Sequence, residues 1–152
     1  MFHITLITLG KIKQEFFAMA EEEYLKRLKP YAKLEIIELR PESFGPSDKE
    51  RAKQIEGEKI EKTLEKINSQ NVFLLSENGK EYDSLQFSKF LEKNEEVVLV
   101  IGGALGFSDG LKNKYQKISL SQMTMPHELA RVVLLEQIYR AITIAKGKEY
   151  HY

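Results

Sequence analysis

The chain has 152 residues, of which 42% are hydrophobic and 30% charged, and its 23 basic and 23 acidic side chains leave no net charge. That is enough chain for one globular domain with a sizeable core, expected to span residues 1–152. Zero net charge does not announce a nucleic-acid partner, although a local basic patch is compatible with it. The absence of cysteine excludes disulfides, thiolate metal sites and a cysteine nucleophile. The opening MFHITLITLGKIK is too short and too polar for a signal peptide, and no segment approaches the roughly 20 apolar residues of a membrane span, so a cytoplasmic protein with no membrane role is expected.

FHITLITL predicts a strand that Gly10 ends. QEFFAMAEEEYLKRL carries Phe17, Ala20, Tyr24 and Leu28 at helical spacing, with Glu22–Lys26 and Glu23–Arg27 as supporting pairs and Pro30 closing the helix. LEIIEL predicts a second strand, and RPESFGPS a turn-rich loop. SDKE (Ser47 to Glu50) has capping-box spacing and predicts the start of a long charged helix with Ile60, Leu64 and Ile67 on one side. The charged runs EEEYLKRLK and KERAKQIEGEKIEKTLEK read as solvated helix faces. VFLLS predicts a third strand, ENGKEYDS a loop and LQFSKFLEK a short helix. VVLVI and KISLS predict the fourth and fifth strands. ELARVVLLEQIYRAITIAKG predicts a long final helix stopped by Gly147.

Alternating strands and helices imply an α/β fold, a mostly parallel sheet with helices on both faces. VFLL and VVLVI are continuously apolar, as strands buried on both sides should be. Ligands of such sheets bind beyond the carboxyl ends of the strands. Three exits carry unusual sequence: LLSENGK, IGGALG and SLSQMTMPH. These loops are expected to converge on one site, with Glu77 a further candidate for its wall.

IGGALGFSDG is not a phosphate loop, because no Lys-Ser or Lys-Thr follows a glycine. Nor is it a dinucleotide fingerprint, since its glycines lie at 102, 103 and 106 on the fourth strand and the next strand ends in serines. Bare glycine backbone can approach a flat ligand closely, and it can equally form a plain tight turn. Three scattered histidines without paired spacing predict no metal site.

Taken together, IGG, S-x-M-T-x-P-H, R-V-V-L-x-E-Q-x-Y-R-A and the final Tyr-His resemble the bacterial ribosomal RNA large subunit methyltransferase H family, a minimal SPOUT class. LGKIK and YLKRLKPYAKLEIIE extend the likeness over the whole chain. The resemblance implies a C-terminal trefoil knot, S-adenosylmethionine as methyl donor, and a homodimer. It implies methylation of N3 of pseudouridine 1915 in 23S rRNA on the assembled ribosome. By motif, the cofactor residues would be Leu75, Gly102, Gly103, Leu120, Ser121, Gln122, Met123, Thr124 and Met125. Backbone polar groups would read the adenine edge while Leu75, Leu120 and Met125 cover its faces.

His127 and Tyr150 would bind the target base or assist its deprotonation, and the residues alone allow simpler roles: helix packing beside Pro126, and a frayed tail. Arg140, His151 and Lys148 would meet RNA, with Lys146 extending the basic end. Spacing alone allows Arg140 and Arg131 instead to pair with Glu136 and Glu128. The family pattern has a basic residue after Tyr-His where this chain has Tyr152, so one phosphate contact is expected to be missing. A non-catalytic RNA-binding module, or a methyltransferase acting on another RNA, is the alternative. A neutral chain of this length is expected to need ribosomal surroundings to hold its RNA.

Overall fold

The run Val97–Ile101 has no polar side chain, and the fold encloses it accordingly. In the computed structural model, which describes residues 1–152, β4 (Glu96–Ile101) is the central strand of five, with Val97 to Ile101 all buried. β1 (Phe2–Leu9) and β3 (Val72–Glu81) flank it, and β2 (Ala32–Leu39) and β5 (Gln116–Ser119) form the edges. The order is β2-β1-β4-β3-β5 and every pairing is parallel. All strand exits therefore lie along one rim.

Five helices cover both faces: α1 (Glu15–Leu28), α2 (Lys49–Ile67), α3 (Ser84–Lys93), α4 (Asp109–Lys114) and α5 (His127–Ala145). Strand side chains alternate between the faces. Ile4, Leu6, Val97 and Leu99 point into a core completed by α1, α3 and α5, whereas Ile7, Leu9, Val98 and Val100 point into a second core completed by α2 and α4. Leu134, Leu135, Ile138 and Ile142 are completely buried, so α5 is anchored along most of its length. The expected fold class is observed.

Local details differ from the sequence expectation in three places. SDKE forms no capping box: Asp48 is the N-cap of α2 without a side-chain cap bond, because its carboxylate accepts from the Gly45 N–H and is used by the preceding turn. The box is at α3, where Asp83 accepts from Gln86 N–H at 2.7 Å and the Gln86 side chain accepts from Asp83 N–H at 2.9 Å. ENGKE is strand, not loop. After an irregularity between Leu75 and Lys80, β3 resumes pairing with β5 through Lys80–Ile118 and Glu81–Ser119. The short helix α4 was not among the expected elements, although Ser108 caps it by accepting from the Leu111 N–H. At the other end Gly147 (φ +67°) stops α5 as expected; its N–H bonds to Ile144 O and the Lys148 N–H to Thr143 O, a Schellman ending.

Candidate functional site

Three of the five exits build one cleft of about 520 Å³. β3 contributes Leu75 to Asn78, β4 contributes Ile101 to Phe107, and the segment after β5 contributes Leu120, Ser121 and Met123 to His127. This volume suits a nucleoside-sized ligand. Leu75, Leu120 and Met125 supply apolar wall. Glu77 supplies a carboxylate that accepts from the Thr124 hydroxyl at 3.0 Å, tying the first loop to the third. The Ser121 hydroxyl accepts from the Met123 N–H at 3.0 Å and holds its own loop in a tight turn.

The glycine loop is bare for steric reasons. A Cβ on Gly102 would lie 3.1 Å from two atoms of the Phe107 ring, which closes the loop from beneath. A Cβ on Gly103 would lie 3.4 Å from Glu56 Oε1. Gly106 takes φ +76°, a left-handed conformation that a side chain would strain. The cleft wall is consequently backbone at the point where a flat ring could lie against it.

His127, the first residue of α5, also lines the cleft. Pro126 is the N-cap and offers no side-chain cap bond, so the positive end of the helix dipole opens here. The neighbouring Glu128 turns away and accepts from the Lys13 and Gln14 N–H groups at 2.8 and 3.0 Å. Those bonds, with Gln14 first, hold its carboxyl below the usual range. Glu128 therefore braces the start of α1 and is not the partner of Arg131.

Arg131 is 4% exposed and makes its ion pairs across the fold, with Glu21 of α1 and, at 2.8 Å, Glu38 of β2. It is a structural clamp, as the ion-pair reading anticipated, but with other partners.

The remaining proposed residues gather at the far end of α5. Arg140 pairs with Glu136 at 2.7 Å and stacks over the Tyr150 ring with its guanidinium carbon 4.7 Å from the centroid. The Tyr150 hydroxyl donates to Glu136 Oε1 at 3.1 Å. Arg140 Nη1 lies 3.2 Å from His151 Nδ1, and since arginine only donates, this ring nitrogen is the acceptor. Burial, then the bond to Glu136, pushes the Tyr150 phenol above its ordinary pKa. The tail is thus ordered rather than frayed. Lys146, Lys148 and Tyr152 are exposed beside it.

The structure therefore brings Leu75, Gly102, Gly103, Leu120, Ser121, Met123, Thr124, Met125 and His127 to one cleft and leaves Gln122 outside its wall. Tyr150, Arg140, His151 and Lys148 are not there either. Arg140 lies thirteen positions along the helix from His127, about 20 Å along the axis. Sequence reasoning missed Lys112 and Lys117, the lysines on the cleft wall, and Phe107 beneath the loop. The lysines gave a weak signal in LKNKYQKI, flanking a strand whose exit was already suspected. It also missed Glu56, one of the buried residues in a helix read as a solvated face.

Comparison with known proteins agrees with this architecture. A family described as "Predicted SPOUT methyltransferase" matches residues 2–151. The ribosomal RNA large subunit methyltransferase H of Enterococcus faecalis is 43% identical over 159 aligned positions, covering 97% of this chain and 98% of that protein. Its counterpart in Kosmotoga olearia is 39% identical, with 99% of each chain covered. Among solved structures, one described as concerning 2-OH methylation of C/U34 on tRNA aligns with a TM-score of 0.56 at 14% identity, over 97% of this chain and 99% of that one. A probable rRNA-methyltransferase from Porphyromonas gingivalis aligns at a TM-score of 0.50 and 15% identity, over 94% of this chain and 69% of that one. Full-length identity at this level, joined to a cleft on the rim of a parallel sheet, places the chain in the SPOUT methyltransferase family, among the ribosomal RNA large subunit methyltransferases H.

Proposed function

We propose that this enzyme uses S-adenosylmethionine to methylate N3 of pseudouridine 1915 in 23S rRNA of the assembled ribosome, acting as a cytoplasmic homodimer of single-domain protomers. The observation that carries this reading is the convergence of three parallel strand exits on one backbone-walled cleft, in a chain related over its full length to rRNA methyltransferases. The family reading also carries the C-terminal trefoil knot.

The donor set fits the cofactor. Leu75, Leu120 and Met125 would cover the adenine faces, and the backbone of Gly102, Gly103 and residues 121–125 would read its polar edge. Gln122, which does not line the wall, would contribute its main chain only. Bound S-adenosylmethionine would supply an electrophilic methyl group for in-line displacement. The protein's own task is to align the target nitrogen and accommodate its proton. His127 is the imidazole on the cleft wall and is assigned that proton. The uncapped start of α5 favours the negative charge that develops on the deprotonated imide. Tyr150 is assigned to binding, because its raised pKa and bond to Glu136 keep the phenol protonated.

Arg140, Tyr150, His151 and Lys148 lie too far along α5 to serve the cleft of their own protomer. We assign them to the RNA side of the partner protomer's cleft, which makes the dimer the working unit. Phe16 and Met19, apolar yet more than 60% exposed on α1, leave an apolar strip for such a contact.

Thermal unfolding with and without S-adenosylmethionine tests the cofactor assignment. The melting temperature should rise as ligand concentration passes Kd. Labelled-methyl transfer to a free RNA hairpin should be weak beside transfer to ribosomes, and robust transfer to the hairpin would remove the ribosome requirement.

A further inference from the structure

Glu56 is 3% exposed in the middle of α2. Its Oε2 accepts from the Glu42 N–H at 3.0 Å, but Oε1 is a buried oxygen with no hydrogen-bond partner. The nearby Lys59 is engaged elsewhere, with Glu42 Oε1 at 2.6 Å and Arg40 O at 2.9 Å. An unpaired buried carboxylate is costly and calls for a positive partner. The carboxylate lies against the glycine loop, where a Cβ on Gly103 would be 3.4 and 3.6 Å from its two oxygens. Gly103 lines the cleft and has no side chain to stand between.

We propose that Glu56 selects ligand charge: from behind Gly103 its carboxylate favours a cationic occupant of the cleft over a neutral one of the same shape. This rests on the reading that the cleft binds S-adenosylmethionine. The methyl donor carries a sulfonium, and the demethylated product is a neutral thioether at that atom. A charge behind the glycine loop thus helps retain the donor and release the product. In a water-poor surrounding such a charge acts over several ångströms without direct contact.

The test uses the intact protein, calorimetric binding and two ligands that both lack the transferable methyl. Sinefungin places an ammonium-bearing carbon where the sulfur stands; S-adenosylhomocysteine is neutral there. The wild type should bind sinefungin tighter by on the order of tenfold. Glu56→Gln, nearly isosteric, should erase most of that ratio while leaving S-adenosylhomocysteine affinity within about twofold. An unchanged ratio, or equal weakening of both ligands, would show that Glu56 only braces the loop and would overturn the proposal. If the variant does not fold, the wild type decides alone, since equal affinity for the two ligands overturns the proposal. Failure of either ligand to bind the wild type would overturn the cofactor reading as well, which separates the two failures.

Discussion

At its first residue α5 meets a cleft walled by glycine backbone and apolar side chains, whereas toward its last residues it carries a cluster of charges and rings. The first end is built by leaving atoms out, the second by putting charges in. Added atoms should therefore damage the cleft, and removed charges should damage the tail. Because about 20 Å of buried helix separates the ends, each kind of damage should stay local within a protomer.

The strongest test of the cleft end is Gly102→Val. Its Cβ would press on Phe107 from 3.1 Å, and the added methyls would force loop and ring apart and distort the cleft wall. S-adenosylmethionine binding and methyl transfer should both fall by on the order of a hundredfold or more. Calorimetry and labelled transfer would read both quantities. Retained binding would mean that the glycine loop does not touch the cofactor.

The helix between the ends should be rigid. Arg131→Leu leaves Glu21 and Glu38 without their cation, and global stability should drop by about 3 kcal/mol in denaturant unfolding. A loss of only a few tenths would show that water already compensates the carboxylates.

At the tail, Arg140→Leu should lower transfer by about tenfold while S-adenosylmethionine affinity stays constant. If each tail serves the partner's cleft, mixing Gly102→Val protomers with Arg140→Leu protomers should restore one working site per mixed dimer. Absence of restoration would place cleft and tail function in the same protomer.

The smallest effect is pH-dependent. Tyr150 has a raised folded pKa, so its contribution is complete below the ordinary phenol range and is lost as pH rises through the raised value. Spectroscopic titration should show two late-ionising tyrosines, Tyr115 and Tyr150, and Tyr150→Phe should remove one of them. At neutral pH this variant should change transfer only a few-fold, and a loss as large as that of a catalytic base would contradict the binding role.

Much of this architecture was legible because it repeats along the chain. Continuous apolar runs marked β3 and β4 as buried strands, and Gly147 marked the end of α5. The three exits could be grouped from sequence, because parallel strands share one rim. Long-range partners were not legible. Arg131 reaches Glu21 across 110 residues, and nothing local prefers it to Glu128, which stands one helical turn before it. Likewise ENGKE reads as a turn by composition, yet pairing with β5 draws it into the sheet. Asp83-x-x-Gln86 was readable as a capping box, but SDKE had the commoner form and drew the assignment. Glu56 hid in a charged run because charge alone does not say which helix face is buried.

The most direct test of the central claim is nucleotide mapping. Purified protein and labelled S-adenosylmethionine would be incubated with ribosomes from cells lacking this gene, and the modified nucleotide located by mass spectrometry. The account predicts label on N3 of pseudouridine 1915 in the large-subunit rRNA. Label at another nucleotide, or no label from protein that still binds S-adenosylmethionine, would contradict it.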